Sequence, residues 1–194
     1  KETIRALSGL KSRPAFHLKI DTGMHRQGFL RRDIEHVAKE LSRSHIKPEG
    51  VYTHFSSAKD PAYPTYTLEQ IRTFKEATAA LEKQGFKNLI RHAAASGGTI
   101  LFPNSHFDMV RIGMGIYGYW PSPESEIWKS DTGIKPKPVL TWKTIISEIK
   151  TIPKGSFVGY DLTERVQRKT TMAVLPVGYW HGYDRGLSSV GQVL

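Results

Sequence analysis

Hydrophobic and polar positions alternate along this chain in two periods, one of two residues and one near 3.6. Phe16, Leu18 and Ile20 alternate strictly with His17, Lys19 and Asp21, which predicts a half-buried strand over Phe16–Thr22. Ile4, Leu7 and Leu10 ahead of it fall at helical spacing. Ile34, Val37, Ala38 and Leu41 behind it do the same, with Asp33 placed to cap their helix. Pro48-Glu-Gly50 leads into a second strand, Val51–Phe55. Thr67 and Gln70 then form a capping-box pattern for a long helix with Leu68, Ile71, Phe74, Thr78 and Leu81, closed near Gly85. Leu89–Ala93 and Asp108–Arg111 read as a third and a fourth strand.

Strand and helix in alternation imply parallel βα units. Four such strands are too few to close a barrel, yet the polar residues argue for part of one. His17, Lys19 and Asp21 share the face opposite the apolar one; Tyr52 and His54 share a face; His92 and Ser96 share a parity; Arg111 ends the last strand. Barrels carry their chemistry at C-terminal strand ends, so four consecutive strands delivering polar groups to one end predict the second half of a (β/α)8 TIM-like barrel. After Pro136-Lys-Pro138 the pattern changes. Leu140–Ile152, the turn Pro153-Lys-Gly155, Ser156–Tyr160 and Thr170–Tyr179 are β-rich with no helix between them, the start of a mostly β C-terminal domain. The expected boundaries are 1–134 for the partial barrel and 135–194 for the partial β domain, with a proline-rich hinge around 121–138. The chain begins at Lys1 and stops at Gly191-Gln-Val-Leu194 in what reads as a strand, so a piece of a longer protein is expected.

Arg111 is followed at once by Gly113, Gly115 and Gly118. Closely spaced glycines let backbone N–H groups approach an anion without side chains in the way, and an arginine beside them can reach the ring or carboxylate that the anion belongs to.

Composition narrows the rest. A net charge of +10 raises the question of nucleic acid, but the 28 Lys and Arg are scattered in short pairs such as Arg31-Arg32 and Arg168-Lys169 and form no basic stripe with aromatics. No nucleic-acid partner is expected; an electropositive site for small anions is. No apolar run approaches the roughly 20 residues of a membrane helix. The charged first residues are not a signal peptide. The absence of cysteine excludes thiolate metal sites and suits a reducing cytoplasm. No metal is expected.

Several ordered motifs run through both parts: His17-Leu-Lys-Ile-Asp-Thr-Gly-Met-His-Arg26, Tyr52-Thr-His-Phe55, Ala95-Ser96, Met109-Val-Arg-Ile-Gly113 with Tyr117-Gly118, Val158-Gly-Tyr160 and Pro176-Val-Gly-Tyr179. In these the chain resembles the pyridoxal-phosphate (PLP) dependent alanine racemases along essentially its whole length. The resemblance implies a barrel followed by a β domain, a head-to-tail homodimer and racemisation of alanine by two bases, supplying D-alanine for peptidoglycan. It implies that Ser96 and the amides of Gly113 and Met114 hold the cofactor phosphate, and that Arg111 hydrogen-bonds the pyridine nitrogen. His54 would link Arg111 towards the catalytic tyrosine; a buried structural histidine is the other reading of that residue. Tyr160 matches the tyrosine base given to the partner subunit's site, and Tyr179 a second tyrosine near it. Arg26 would orient Tyr160 and meet the substrate carboxylate. Lys19 matches a lysine that is carbamylated in some relatives, which would turn a cation near Arg26 into an anion.

The family's PLP lysine belongs to the first barrel strand and would lie upstream of Lys1, so residues 1–194 alone are expected to be inactive. His25 stands where a glycine is usual, His181 where an aspartate is, and Ala95 where an asparagine is common. These departures leave open a related serine or broad-specificity racemase. A non-catalytic PLP-binding barrel lacks the β domain, which argues against it here. Fold-related decarboxylases place an acid where this chain has Arg111.

Overall fold

The computed structural model describes residues 2–129 and 133–193, and the chain divides into two compact units, residues 1–140 and 141–194.

In the first unit, helix α1 (Glu2–Ser8) leads to strand β1 (His17–Asp21), the two-residue strand β2 (Phe29–Leu30) and helix α2 (Ile34–Arg43). Strand β3 (Gly50–Tyr52), helix α3 (Thr65–Lys83), strand β4 (Ile90–His92), helix α4 (Ser96–Leu101) and helix α5 (Pro123–Lys129) follow. The strands lie in the order β2-β1-β3-β4, every pair parallel. Leu18, Ile20 and Val51 point to the helices and join Ile34, Val37, Ala38 and Leu41 of α2 and Ile71, Phe74, Ala77 and Leu81 of α3 in one core. Thr78 is buried there with its hydroxyl donated to the Phe74 carbonyl at 2.8 Å, whereas the buried Thr67 hydroxyl on the same helix finds no partner among the described residues. On the other face, Lys19 lies beside Tyr52 and Tyr52 beside His92 in register, which makes a row of three polar residues across β1, β3 and β4.

Four local expectations are corrected. Asp33 does not cap α2 with its side chain. It already lies in the αR region at the end of a 3-10 turn, Arg31–Asp33, so it never adopts the extended conformation a capping side chain needs. Thr67 and Gln70 do not open α3 either. The helix starts at Thr65, just after Pro64, which leaves both residues inside it and fully buried while Leu68 faces solvent. The second strand stops at Tyr52; the Thr53 N–H still reaches the His92 carbonyl at 3.2 Å, and its hydroxyl pairs with that of Thr22 at 2.7 Å. Asp108–Arg111 forms no strand but a single parallel bridge, Met109 to His92. The Arg91 N–H that could extend a ladder is taken by the Asp108 carboxylate at 2.8 Å, and Asp108 also grips the Arg91 guanidinium with both oxygens, at 2.9 and 3.0 Å.

The segment expected as a hinge around 121–138 contains α5; its residues 130–132 lie outside the described residues. Gly118 has φ +82°, and a Cβ there would collide with the backbone of Lys137 and Pro138, which pass directly against it.

The second unit is β-rich but sparser than its sequence pattern suggested. Strand β5 (Glu148–Ile152) pairs antiparallel with β8 (Thr170–Val174), and β6 (Phe157–Val158) with β7 (Glu164–Arg165). Of Leu140–Ile152 only the last five residues are strand, the five that β8 matches residue for residue. Residues 191–193 are not strand, and Leu194 lies outside the described residues.

Candidate functional site

Arg111 is the centre of the polar face. Its backbone N–H donates to the Ala94 carbonyl at 2.9 Å, which ties it to the end of β4 in place of a strand ladder. From there the guanidinium reaches four acceptors: the Thr53 carbonyl at 2.8 Å, the Ala93 carbonyl at 3.2 Å, His92 Nδ1 at 2.7 Å and His54 Nδ1 at 3.2 Å. It also lies over the Tyr52 ring, 5.4 Å from the centroid. Burial works against its charge, and among the described residues no carboxylate pairs with it. A guanidinium held by neutral acceptors keeps a full charge for an external partner.

His54 and His92 are tuned by that charge. Burial, then Arg111, Arg26 and Lys19, hold the His54 imidazolium below its ordinary pKa. Burial, then Arg111 and His17, push His92 down to about 4. Both rings are therefore neutral near pH 7 and accept from Arg111 through Nδ1. His92 is stacked flat on Tyr52, with centroids 5.1 Å apart and an interplanar angle of 2°, and Lys19 Nζ lies 5.8 Å from the centroid of the same Tyr52 ring.

Beside Arg111 the chain forms a second donor set. Ser96, buried at the start of α4, accepts the backbone N–H groups of Gly113 at 3.0 Å and Gly115 at 3.2 Å on its Oγ. With its lone pairs so engaged, the hydroxyl has its hydrogen to give. The sequence reading named Gly113 and Met114; the amides that converge on Ser96 are those of Gly113 and Gly115. A Cβ at Gly113 would meet nothing within 4 Å, so the approach is open. Met24, His54, Ser96, Arg111, Gly113 and Met114 are among the residues lining one open cavity of about 550 Å³.

Arg26 rides on the loop after β1. Asp21 organises that loop by accepting the N–H groups of Gly23 and His25 on Oδ1, both at 3.0 Å. Burial opposes the Asp21 charge, but these bonds and the nearby His25 outweigh it and lower its pKa. Gly28 closes the loop at φ +121°, where a Cβ would press on the Asp21 N–H and the Lys19 carbonyl. From the helix side, Tyr66 donates to the Gly23 carbonyl at 2.7 Å, and Gln70 to Thr22 Oγ1 at 3.3 Å and the His54 carbonyl at 3.4 Å. Arg26 itself is exposed.

His54, Ser96, Arg111, Gly113 and Met114 thus meet at one cavity, and Arg26 and Lys19 act on His54 through their charge. Tyr160 and Tyr179 belong to the second unit. Tyr160 stands in a 3-10 turn between Gly159 and Asp161, both at positive φ, and is 94% exposed. Sequence reasoning read Gln70 only as the capping-box partner of Thr67 and gave no role to Tyr66. It placed His17 and His92 on the polar side of their strands without giving either a partner.

The donors fit a PLP-like group. The Ser96 hydroxyl, whose hydrogen is free to give, sits against the open glycine-rich turn and suits a phosphate, and a half-buried guanidinium that can only donate suits an unprotonated pyridine nitrogen.

A family model described as the alanine racemase N-terminal domain matches residues 1–121, and one for the alanine racemase C-terminal domain matches residues 139–194. The chain is 43% identical over 196 residues to an alanine racemase of Leptospira interrogans, covering 100% of this chain and 50% of that protein. It is 41% identical over 179 residues to one of Symbiobacterium thermophilum, covering 92% and 46%. The crystal structure of alanine racemase from Bacillus anthracis with bound L-Ala-P superposes with a TM-score of 0.69 at 31% identity, covering 92% of this chain and 45% of that one. The chain spans about half the length of the curated relatives it matches. Its parallel strands and helices are part of a TIM-like barrel, and its second unit the start of the β domain that follows. By sequence and by fold the chain belongs to the alanine racemase family.

Proposed function

We propose that the full-length protein is a PLP-dependent alanine racemase that works by two bases and supplies D-alanine for peptidoglycan from the cytoplasm. The observation that carries this reading is Arg111, a half-buried cation held only by neutral acceptors that opens onto the same cavity as Ser96 and Gly113. When bound, PLP supplies an electron-accepting ring that acidifies the substrate Cα–H. Ser96 Oγ and the amides of Gly113 and Met114 hold its phosphate. Arg111 donates to its ring nitrogen and cannot give up the proton, so the nitrogen stays unprotonated and the ring remains a moderate electron acceptor. That favours return of a proton to Cα over decarboxylation or transamination.

Inversion at Cα needs an acid–base group on each face. Tyr160, given by the partner copy in a homodimer, serves one face through its phenol oxygen, and a lysine outside residues 1–194 serves the other. None of the lysines here matches that lysine, so residues 1–194 alone are expected not to racemise alanine. An ordinary phenol has a pKa of about 10, and the cationic Arg26 and Arg111 would favour its anion. Arg26 would grip the substrate carboxylate through its fork. Carbamylation of Lys19 would give Arg26 an anionic partner; intact mass of gently purified protein showing no carbamate would remove that part. Small amino acids are the expected partners, with neither nucleic acid nor membrane; no helix among the described residues is long and apolar enough to cross one.

The test uses full-length protein: visible absorbance of bound PLP, and conversion of L-alanine to D-alanine in deuterated water with label at Cα. In Tyr160→Phe, inversion should be lost while one enantiomer alone still exchanges its Cα proton, because one base remains. Exchange of both enantiomers in that variant would overturn the role of Tyr160. Bound cofactor without alanine turnover would move the reading to another amino acid.

A further inference from the structure

We propose that His17 and His92 form a one-way hydrogen-bond chain that fixes the Arg111 guanidinium, so that His17 is a positioning residue for its contact with the ring nitrogen. The chain is read from geometry, and only its link to the cofactor rests on the function proposed above.

Its direction follows from one fixed end. Arginine only donates, so His92 Nδ1, 2.7 Å from Arg111 Nη1, must accept and the His92 proton lies on Nε2. That Nε2 is 2.6 Å from His17 Nδ1, which must therefore accept in turn. The His17 proton is left on Nε2, which faces Glu49 Oε2 at 3.7 Å. Every donor in the series points away from Arg111, and the Glu49 carboxylate lies beyond the last of them, outside hydrogen-bond reach. No other tautomer of either ring satisfies both short contacts.

The surroundings keep this arrangement. His92 is buried, and its depressed pKa keeps it neutral and able to accept. Tyr52 stacks on its ring and prevents it from turning. His17 fits because residue 50 is glycine: a Cβ there would strike the His17 ring. Gly50 is the residue paired with His17 between β1 and β3, and Glu49 precedes it, held by its N–H to the Phe16 carbonyl at 2.9 Å. The series thus runs along the inner face of the sheet, from the strand start at His17 to the strand ends at Arg111. Without an acceptor at residue 17, the His92 proton can move to Nδ1 and confront the Arg111 donor, and the guanidinium swings off the ring nitrogen.

Nitrogen-15 NMR of histidine-labelled full-length holoenzyme tests the direction, with signals assigned by substitution. Both His17 and His92 should be neutral with the proton on Nε2; a proton on Nδ1 of either would overturn the proposal. Two variants test the consequence. His17→Leu removes the acceptor and should shift the visible absorbance of the bound cofactor and lower kcat about tenfold with KM little changed. His17→Asn places an amide oxygen near the lost Nδ1 and should restore both to within about twofold of the parent. A Leu variant indistinguishable from the parent, or a folded Asn variant as impaired as the Leu variant, would overturn the positioning role. If the Leu variant does not fold, the NMR result and the Asn variant decide. The predicted tautomers in a full-length protein that binds no PLP would leave the chain standing and remove the proposed function.

Discussion

Gln70 Oε1 accepts the backbone N–H of Ser56 at 2.9 Å, although Ser56 lies in the loop after β3 and Gln70 is in the second turn of α3. That one bond sets the orientation of the whole amide, whose NH2 must then face Thr22 Oγ1 and the His54 carbonyl. One buried side chain thereby fastens the two loops that carry Arg26 and His54.

Gln70→Leu would leave the Ser56 N–H and the His54 carbonyl without this partner. The expected cost is about 2 kcal/mol of stability, measured by urea unfolding of the full-length protein. KM for alanine should rise several-fold with it, since Arg26 loses one anchor of its loop. An unchanged urea midpoint would mean that water replaces the amide without loss.

His92 gives the protein an acid-sensitive element. Its folded pKa of about 4 lies below the ordinary 6.5, so between these values the unfolded chain binds more protons. The stability it contributes is complete above pH 6.5 and falls as the pH drops towards 4. In His92→Asn, which keeps an acceptor for Arg111, the dependence of unfolding on pH should be flatter across that window.

Gly28→Ala should destabilise by about 2 kcal/mol or more, because a left-handed backbone and a close approach to the start of the β1 turn coincide there. Thermal unfolding would measure it, and alanine turnover should fall further than the loss of folded protein explains.

Asp108→Asn is expected to cost only about 1 kcal/mol, because the pair with Arg91 is half exposed. The hydrogen bond from Arg91 holds the Asp108 carboxyl below its ordinary 3.8, so its contribution is present above that pH and lost as the pH falls through the lower folded value. In the Asn variant this acid step should disappear from the unfolding profile. A loss as large as that of Gln70→Leu would mean that the clip also supports the approach to Arg111.

What the sequence made legible was what a period can carry. Leu18 and Ile20, or Ile34, Val37 and Leu41, declare a buried face by spacing alone, and their partners in the core follow. Alternation also placed His17, Lys19, Tyr52 and His92 correctly on the polar side. It could not show that strand register sets Tyr52 flat against His92, since register is a relation between segments far apart in the chain. Gln70 misled for a related reason: a polar residue three positions after Thr67 looks like a cap until the helix is known to begin at Thr65. Asp108 looked like part of a strand because the composition there is apolar, whereas its own carboxylate takes the N–H that a strand would have used. Local chemistry competes with the backbone at such points, and the winner depends on neighbours the sequence does not list in order.

The Arg26 loop is anchored at its base by Asp21, Tyr66 and Gln70 and closed by Gly28, while residues 25–27 project into solvent and bury nothing. Its tip is therefore separable from its frame: the anchors that hold the loop lie below residues 25–27, so substitutions at His25 or Gln27 would change the surroundings of the Arg26 guanidinium without removing any side-chain bond that fixes the loop.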